Sequence, residues 1–423
     1  MRVKRLQLTN YRGFASLDLD LDHPLTILVG ANGAGKSSVL VAIAQAYGSL
    51  SFPDSERVLV TLTDAHDLRD GQEQGWLRAT FRHGSTEFSG GYEVAAQANS
   101  AHLKASATAV PADRSELFLV LMETDRGLQS AEVREEKPLR PVKLSKDWTN
   151  PLQWELDDSS SLLVWPGFER FVRWFKDRED VENEQRVSGG DLTLQDPQLR
   201  AIRDAVAELM PGFTKLRIQR SPRPVMVVTK AGTQLRLDQL SDGERNLIAL
   251  TGELARRMAI AAPQSESPRE LEGVVLIDEI EQHLHPGLQR EVLPRLRRAF
   301  PNVQFIVTTH SPQVLSTAPR DAIVAVDNFT AHRLEQGAEG RDSNAILGEV
   351  FHVPRRPTRQ LEQVEAIRRL IDEERLDEAR RQLDELSALV TEQDDDVLTL
   401  RMRLFVADAG QEVPPHAGDE ATP

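Results

Sequence analysis

Residues 25–40 read LTILVGANGAGKSSVL, and this stretch decides the fold. Its apolar run ends at Val29 and predicts a strand, while the apolar residues that follow in 38–47 predict a helix. Residues 30–37, between the two, have the pattern GxxxxGKS. Glycines at this spacing let successive backbone N–H groups turn toward one anion at a helix N-terminus. The stretch therefore predicts a phosphate-binding P-loop.

The pattern also assigns ATP contacts to particular residues. Lys36 would neutralise the β- and γ-phosphates, and the Ser37 hydroxyl would hold Mg²⁺. Glycine-rich turns before helices also occur for packing alone, and it is the flanking strand and helix that favour nucleotide binding here. The expected ATP contacts of the loop are Gly30, Asn32, Gly33, Ala34, Gly35, Lys36, Ser37 and Ser38.

Length and composition limit the classes of protein to consider. A chain of 423 residues with 40% hydrophobic content can bury a large core and predicts two or three domains. The absence of cysteine excludes disulfides and Cys-based zinc sites. A net charge of −15 argues against extensive non-specific binding of nucleic acid, although a local basic groove is compatible with this net charge. Without a long apolar run or a signal-peptide pattern, we expect a cytoplasmic protein that has no membrane partner.

A second group of motifs lies in the carboxy-terminal half. Residues 274–277, VVLI, are uniformly apolar, which predicts a strand covered on both faces, and Asp278 and Glu279 follow it directly. Carboxylates at this end of a parallel strand lie where such sheets bind ligands. We expect Asp278 to position Mg²⁺ through water and Glu279 to act as general base on the attacking water. The next predicted strand, 303–307, ends just before His310.

Two shorter stretches allow more than one interpretation. Ser241 and Gly243 lie in LSDGER at residues 240–245, before a predicted helix over 245–262, and could direct N–H groups at an anion. The same residues fit an ordinary capping box between Ser241 and Glu244. In HLHP at residues 283–286 the two histidines suggest a metal, but a loop after the acidic strand is favoured because no third ligand is in view.

The amino terminus completes the set of motifs. Residues 3–8 and 17–21 alternate like two strands of a hairpin, and the loop NYRGF at 10–14 joins them. Arg12 in this loop is either a solvated turn residue or a nucleotide contact. From NYRGF through the P-loop, LSDGE and Asp278-Glu279 to His310, the order resembles ABC-class ATPases of the SMC, RecF and overcoming-lysogenization-defect (OLD) type. Position 242 departs from the family's LSGGQ or LSGGE, because Asp242 replaces the first glycine.

The resemblance covers residues 1 to about 330 and implies an α/β fold. That fold is an ABC-type P-loop ATPase head with a mixed β-sheet core, a β-subdomain, a helical insertion and a C-terminal helical hairpin. Within the class the sequence is most similar to the AAA family ATPase components (PtuA-like) of Septu-type and retron-associated antiphage systems. The resemblance implies an ATPase with ATP and Mg²⁺ as ligands. It places Arg12, Ser241, Gly243 and Glu244 near the nucleotide and His310 at the γ-phosphate.

The resemblance also implies partners. ABC-class heads form head-to-tail homodimers with ATP at the interface, and the antiphage relatives act with a separate nuclease, of HNH type, through which DNA would be contacted. The alternative is a DNA repair or recombination ATPase of the RecF or SMC type that acts directly on DNA. A transporter subunit is disfavoured because no clear Q-loop glutamine is present; Gln72 and Gln74 are the candidates.

We predict five segments along the chain. They are the first half of the ATPase head (1–126), a helical insertion (127–195), the second half of the head (196–353), an acidic helical domain (354–408) and a disordered tail (409–423). In the insertion, Trp148, Trp154, Trp165 and Trp174 indicate packing rather than a ligand cage. From Pro354 onward the chain has 10 Arg and no Lys against 17 Asp and Glu, which fits either a solvated face or a docking surface for a basic partner. Relatives of this class that carry a nuclease append a Toprim domain of about twice this length, so the resemblance implies no intrinsic nuclease.

Overall fold

The structure, a computed structural model, describes residues 1–51, 67–97, 100–108, 118–122, 168–334, 337–351 and 356–411. The chain divides into two compact units, Met1–Ile346 and Leu347–Pro423. This division lies seven residues before the predicted start of the acidic helical domain at 354, and the finer segment boundaries remain predictions. Trp148, Trp154, Trp165 and residues 412–423 lie outside the described residues.

The strands and helices of the described residues are labelled here in chain order. The strands are β1 (Arg2–Tyr11), β2 (Phe14–Asp20), β3 (Leu25–Val29), β4 (Gln74–His83), β5 (Thr86–Gln97), β6 (Ser100–Thr108), β7 (Leu119–Met122), β8 (Phe213–Gln219), β9 (Val225–Lys230), β10 (Thr233–Arg236), β11 (Gly273–Ile277), β12 (Val303–Thr308), β13 (Ile323–Asp327) and β14 (Thr330–Arg333). The helices are α1 (Lys36–Ser51), α2 (Phe168–Gly189), α3 (Pro197–Leu209), α4 (Asp242–Ala261), α5 (Pro286–Ala299), α6 (Pro312–Leu315), α7 (Ser343–Glu349), α8 (Thr358–Asp372), α9 (Leu376–Val390) and α10 (Asp395–Gln411).

The central sheet has the order β14-β13-β3-β12-β11-β7. Its strands run parallel except β14, which pairs antiparallel with β13. Every residue of β3, β11 and β12 is buried, as expected for largely apolar strands covered on both faces, and this includes the polar residues Thr26 of β3 and Gln304 of β12. The carboxyl ends of these three neighbouring strands therefore meet at one edge, where parallel sheets place their ligands. The predicted mixed α/β core is confirmed.

A second, antiparallel sheet has the order β2-β1-β4-β5-β6 and forms the predicted β-subdomain. The N-terminal hairpin is tighter than the sequence suggests, because Tyr11 already pairs with Phe14 and only Arg12 and Gly13 turn the chain. Helix α1 packs closely on β5: a Cβ at Gly90 would lie 2.3 Å from the carbonyl oxygen of Ala46. This close approach joins the P-loop helix to the antiparallel sheet in one core.

The segment between the two halves of the central sheet forms helices and a small antiparallel sheet, β10-β9-β8. Helix α3 is capped by Asp196, which accepts the backbone N–H groups of Gln198 and Leu199. Helix α4 begins at Asp242, three residues before the predicted start, because Ser241 caps it. Of the predicted insertion, Trp174 lies in α2 and is half-buried.

The carboxy-terminal unit contains the predicted helical hairpin and a third helix, which together are α8 to α10. Its apolar core is formed by residues on the facing sides of the three helices, among them Val364, Leu383 and Leu400. The acidic run before α10 has structural partners: Arg356 donates to both Asp394 and Asp396 at 2.5 Å. Across the described residues, no group of three metal-ligating side chains is found, and none of the helices described is long and apolar enough to cross a membrane.

Candidate active site

The P-loop follows β3 and needs glycine for steric reasons at two positions. Gly30 has φ 151°, and a Cβ there would lie 2.0 Å from the carbonyl oxygen of Val326. Gly35 has φ 107°, and a Cβ would lie 2.7 Å from the ring of Phe14 in the N-terminal hairpin. Both positions therefore exclude a side chain through the backbone angle and the close neighbour together. Asn32 and Gly33 form the exposed tip of the loop, and Ala34 is buried.

Lys36 lies inside the loop at the first position of α1. Its ammonium group donates to the carbonyl oxygens of Gly30 at 3.1 Å and Ala31 at 2.9 Å. Burial lowers the pKa of Lys36, and the carboxylates of Asp278, Glu279 and Glu281 partly oppose this shift. The lysine is thus held against the loop backbone and interacts electrostatically with the acids at the end of β11.

Ser37 and Asp278 are 241 positions apart in sequence and in direct contact in the fold. The Ser37 hydroxyl contacts both carboxylate oxygens of Asp278, at 3.0 and 2.9 Å. The Thr308 hydroxyl, at the end of β12, donates to the same carboxylate at 2.6 Å. The backbone N–H of Asp278 donates to Met122 at the end of β7. The Asp278 carboxylate is therefore oriented from the neighbouring strand and from the N-terminus of α1.

Glu279 leaves the sheet in an unusual conformation. Its φ is 46°, in the left-handed region that few non-glycine residues adopt. Its backbone N–H donates to the Thr308 hydroxyl at 2.7 Å, and the N–H of Ile280 donates to the Thr308 carbonyl oxygen at 3.1 Å. These bonds hold the turn in which the chain leaves β11. Strained backbone of this kind is typical of functional sites.

His310 follows β12 and is held through its backbone. Glu281 accepts the N–H of His310 at 2.5 Å and the hydroxyl of Thr309 at 2.7 Å. Burial lowers the pKa of the His310 imidazole, and the charge of Lys36 lowers it further against the pull of Glu281 and its acidic neighbours. The imidazole therefore favours its neutral form and lies close enough to Lys36 to interact with its charge.

Arg12 lies in the turn of the N-terminal hairpin with φ 48°. Its guanidinium donates to Asp67 at 2.7 Å and to the Ser38 hydroxyl of α1 at 3.3 Å. Asp67 is buried and also accepts a bond from Gln45 of α1 at 2.7 Å. Arg12 is thus fixed beside the P-loop helix, and its contact with nucleotide remains a prediction.

The LSDGER stretch forms the capping box that the sequence left open. Ser241 accepts the N–H of Glu244 at 3.4 Å, and Glu244 accepts the N–H of Ser241 at 3.1 Å. Glu244 is also paired with Lys230 at 2.6 Å. A Cβ at Gly243 would lie 2.7 Å from the carbonyl oxygen of His283, so glycine is needed there for close packing. An additional role of these residues with an anion remains a prediction.

The remaining histidine and glutamine candidates have structural positions. His285 caps α5 by accepting the N–H of Gly287 at 3.2 Å, and His283 is exposed with φ 61°, as expected for a loop. Gln72 and Gln74 are both exposed, and Gln74 is the first residue of β4. The described residues therefore give no further support for either as a Q-loop glutamine.

Sequence reasoning missed the residues that hold the others. Thr308 binds the Asp278 carboxylate, and Glu281 binds the backbone of His310. Asp67 binds Arg12. A signal was available for Thr308, since a polar residue that ends a fully buried strand needs a hydrogen-bond partner. No sequence signal distinguishes Asp67, because its role depends on a contact 55 positions away in the chain.

Comparison with known proteins adds to this geometry. A family model described as "AAA ATPase domain" matches residues 1–74, and one described as "AAA domain, putative AbiEii toxin, Type IV TA system" matches residues 142–316. The "Retron Ec83 probable ATPase" of Escherichia coli is 30% identical, over 84% of this chain and 77% of that protein. The chain belongs to the same AAA ATPase family as this retron ATPase. It is an ATPase.

Two further relatives and one solved structure are also similar to this chain. The "Retron Vc95 probable ATPase" of Vibrio cholerae is 26% identical, over 78% of this chain and 74% of that protein. The "Septu protein PtuA" of Bacillus thuringiensis is 22% identical, over 77% and 75% of the two chains. An SMC head in complex with the C-winged helix domain of ScpA aligns with a TM-score of 0.46 and 17% identity, over 80% of this chain and 98% of that one.

Proposed function

We propose that this ATPase hydrolyses ATP at the edge of the central sheet where β3, β11 and β12 end. The observation that carries the proposal is the chain of hydrogen bonds from Ser37 through Asp278 to Thr308 and on to the backbone of Glu279. It joins the P-loop helix, the acidic strand and the strand that leads to His310. The groups that we propose for phosphate binding and proton transfer therefore lie on elements joined by these hydrogen bonds.

The donor set of the site fits Mg²⁺ and the phosphates of ATP. A hydroxyl and a carboxylate, the ligand types that this hard cation prefers, meet at Ser37 and Asp278. Bound there, Mg²⁺ would neutralise charge on the phosphates. Lys36 has three N–H donors, and in this structure they point at loop carbonyls that a phosphate oxygen can replace. The space around Gly33 at the exposed loop tip is open, so an anion can approach the backbone N–H groups there.

Glu279 and His310 would carry out the proton chemistry. A half-exposed carboxylate at Glu279 can accept a proton from the water that attacks the γ-phosphorus, while ADP departs with the bridging oxygen. His310, whose lowered pKa keeps it neutral, can donate one hydrogen bond to a γ-phosphate oxygen without adding a positive charge beside Lys36. The backbone N–H of Glu279 donates to Thr308 and that of His310 donates to Glu281, so the backbone from which each side chain extends is held.

We further propose that two copies bind head to tail with ATP between them. Ser241 and Gly243 would then complete the site of the second copy, because the N-terminus of α4 presents N–H groups to an anion. Within one copy, Gly243 packs against His283, in the loop that follows Glu279. A nucleotide bound in the site of the second copy would contact Gly243 of the first copy, and this contact would be transmitted to the acidic turn of the first copy. Arg12 would add a cation beside the P-loop of its own copy.

Mixing two inactive variants tests the composite site. In a mixed dimer of Lys36→Ala with Ser241→Arg, one site has an intact P-loop from one copy and an intact LSDGE segment from the other. Random pairing should then restore roughly a quarter of wild-type turnover, since about half of the dimers have one of two sites intact. Lys36→Ala mixed with Glu279→Gln is the matched control. Lys36 and Glu279 belong to the same copy's part of an ATP site, so each copy of the mixed dimer inactivates its own site and neither site is intact. Equal rescue in both mixtures, or none in either, would contradict the head-to-tail arrangement.

We propose that this ATPase cycle controls a separate effector nuclease of HNH type in antiphage defence. The support is the likeness to retron ATPases and to Septu proteins over most of the chain. Co-purification with a nuclease encoded next to this protein, in amounts that change when ATP is replaced by ADP, is the expected result.

Direct action on DNA is the second candidate, and one surface favours it. Residues 213–236, which form β8 to β10, contain six basic residues and no acidic one in a chain of net charge −15. Lys215 and Arg217 are exposed and line a depression of about 400 Å³ together with Arg220. Turnover that rises with added DNA and falls again when Lys215 and Arg217 are changed to Glu would favour this candidate.

A further inference from the structure

Helix α10 of the carboxy-terminal unit is apolar on two opposite sides. Its inner side, with Val397, Leu400 and Leu404, packs against α8 and α9. Its outer side has four large apolar side chains with 52 to 72% of their surface exposed. These are Leu398, Met402, Phe405 and Val406, and we call them the outer stripe. A helix that is apolar all round is normally covered on both sides.

The spacing of the outer stripe is that of a helix–helix seam. Leu398, Met402 and Phe405 follow one another at intervals of four and three residues, the repeat at which side chains of two helices interlock. Arg401 and Asp408 are seven positions apart and therefore flank the same side of the stripe. The helix thus has an apolar seam with one positive and one negative residue along one border.

We propose that the outer stripe binds the outer stripe of a second copy of this chain, with the two α10 helices antiparallel about a two-fold axis. In the antiparallel arrangement that sets Met402 against Phe405 of the second copy, Arg401 lies opposite Asp408 of the second copy, and the same pair forms again across the axis. A parallel arrangement would set Arg401 against Val406 and forms no such pair. The charges along this border therefore pair with the same border of a second copy in the antiparallel orientation.

The charge on the outer stripe distinguishes this occupant from a basic protein. Helix α9 has four acidic residues and two arginines, while α10 has Arg401 and Arg403 between acids at its two ends. Within one chain Arg401 contacts Glu392 at 3.3 Å and Asp408 contacts Arg380. Both ion pairs are partly exposed, so exchanging them for pairs with the second copy costs little.

This contact would not require nucleotide. It uses only the carboxy-terminal unit, whereas the proposed head-to-tail contact uses the ATP site of the other unit. A chain with two separate two-fold contacts can build assemblies larger than a dimer, and ATP would then control the size of the assembly rather than its existence. A single helix pair is a small interface, so we expect micromolar association.

The first experiment measures the mass of the full-length protein by sedimentation in the absence of nucleotide. Met402→Glu with Phe405→Glu should weaken dimerisation by roughly thirtyfold or more, the effect expected for central side chains of an interface. The matched control is Val187→Glu with Leu192→Glu, since these apolar residues are 78 and 77% exposed in the other unit. The control should dimerise like the wild type. Far-ultraviolet circular dichroism of both variants verifies that they fold.

The second experiment tests the orientation and uses the absence of cysteine from the chain. Met402→Cys and Phe405→Cys are prepared separately, and each is oxidised alone and in an equal mixture. Antiparallel pairing predicts that covalent dimers form faster in the mixture than in either sample alone. Arg403→Cys, exposed on the border of the same helix, should cross-link slowly.

Three results would overturn the proposal. The first is a wild-type protein that is monomeric without nucleotide at tens of micromolar. The second is a Met402 and Phe405 double variant that dimerises as strongly as the wild type. This result would overturn the proposal even if the variant no longer co-purified with a nuclease. The third is self-cross-linking of each single-cysteine sample at a rate equal to the mixture, which would indicate parallel or random contact.

Discussion

The hydroxyl of Thr308 donates to the carboxylate of Asp278 at 2.6 Å across two neighbouring strands of the central sheet. The same hydroxyl oxygen accepts the backbone N–H of Glu279 at 2.7 Å. One side chain therefore orients both the acid assigned to Mg²⁺ and the residue assigned as general base. Groups that hold a metal ligand in this way commonly change activity when they are removed, although they do not contact the substrate.

Replacing Thr308 by Val should reduce ATP turnover by roughly 10 to 100 fold, because valine keeps the shape and loses both hydrogen bonds. Asp278 would then bind Mg²⁺ less tightly, so the Mg²⁺ concentration that gives half-maximal turnover should rise. Thr308→Ser is the control, since its hydroxyl can form the same bonds. Steady-state ATPase assays over a Mg²⁺ series measure both effects, and a valine variant with the wild-type Mg²⁺ requirement would contradict the assigned role.

Lys36→Ala should weaken ATP binding by about a hundredfold or more, since the phosphates lose charge-assisted hydrogen bonds from the ammonium group of a buried lysine. A titration with a fluorescent ATP analogue measures the dissociation constant. Lys176→Ala, which removes an ammonium group from the surface of α2, should bind like the wild type. If the two variants bind ATP equally well, the assignment of the P-loop is wrong.

Glu279→Gln should retain ATP binding and lower turnover by roughly 10² to 10⁴ fold, because the amide keeps the size of the side chain and cannot accept the proton. An ATP-bound dimer should accumulate and elute earlier in size-exclusion chromatography. Glu87→Gln, at an exposed ion pair with Lys4, serves as the control and should hydrolyse ATP normally. Wild-type turnover in the Glu279 variant would exclude this residue as the base.

The lowered pKa of His310 predicts a pH dependence of stability. The ordinary pKa of 6.5 applies to the unfolded chain, so on acidification the unfolded state binds a proton before the folded state does. The contribution of His310 to the free energy of unfolding is therefore present above pH 6.5 and is lost as the pH falls toward the lower folded pKa. Denaturant unfolding at pH 7.5 and 5.5 should show a smaller decrease for His310→Gln than for the wild type. For His332→Gln, at an exposed position in β14, the free energy of unfolding should decrease by as much as it does for the wild type.

The acidic carboxy-terminal helices allow a test of effector docking. Charge reversal at Glu373, Glu374 and Asp395, all of them exposed, should leave folding and ATPase turnover intact. If these acids bind a basic effector, capture of the neighbouring nuclease should weaken, and the loss should be larger at low salt, where electrostatic contacts contribute most. Reversal at Glu73 and Glu93 of the other unit is the control. Full capture by the variant at two salt concentrations would leave these acids as a solvated face.

Much of the site could be predicted from sequence because its chemistry is local. The P-loop, the acids after β11 and His310 after β12 each lie directly beside a strand whose hydrophobic run is visible in the sequence. The capping box at Ser241 likewise depends on residues three positions apart. By contrast, the tight hairpin turn at Arg12 was predicted too long, since alternation does not reveal where pairing ends.

The sequence by itself determined the parallel core, the edge at which the motifs meet and the helical carboxy-terminal unit, because periodicity and apolar runs reflect burial directly. Only the tertiary structure decided which side chains hold the site. Thr308, Glu281 and Asp67 act through contacts between elements distant in sequence, and no local pattern encodes such a distance. The same is true of the outer stripe, whose exposure depends on which side of α10 packs against α8 and α9. A helix that is apolar on both sides does not indicate, from its sequence, which side the fold leaves uncovered.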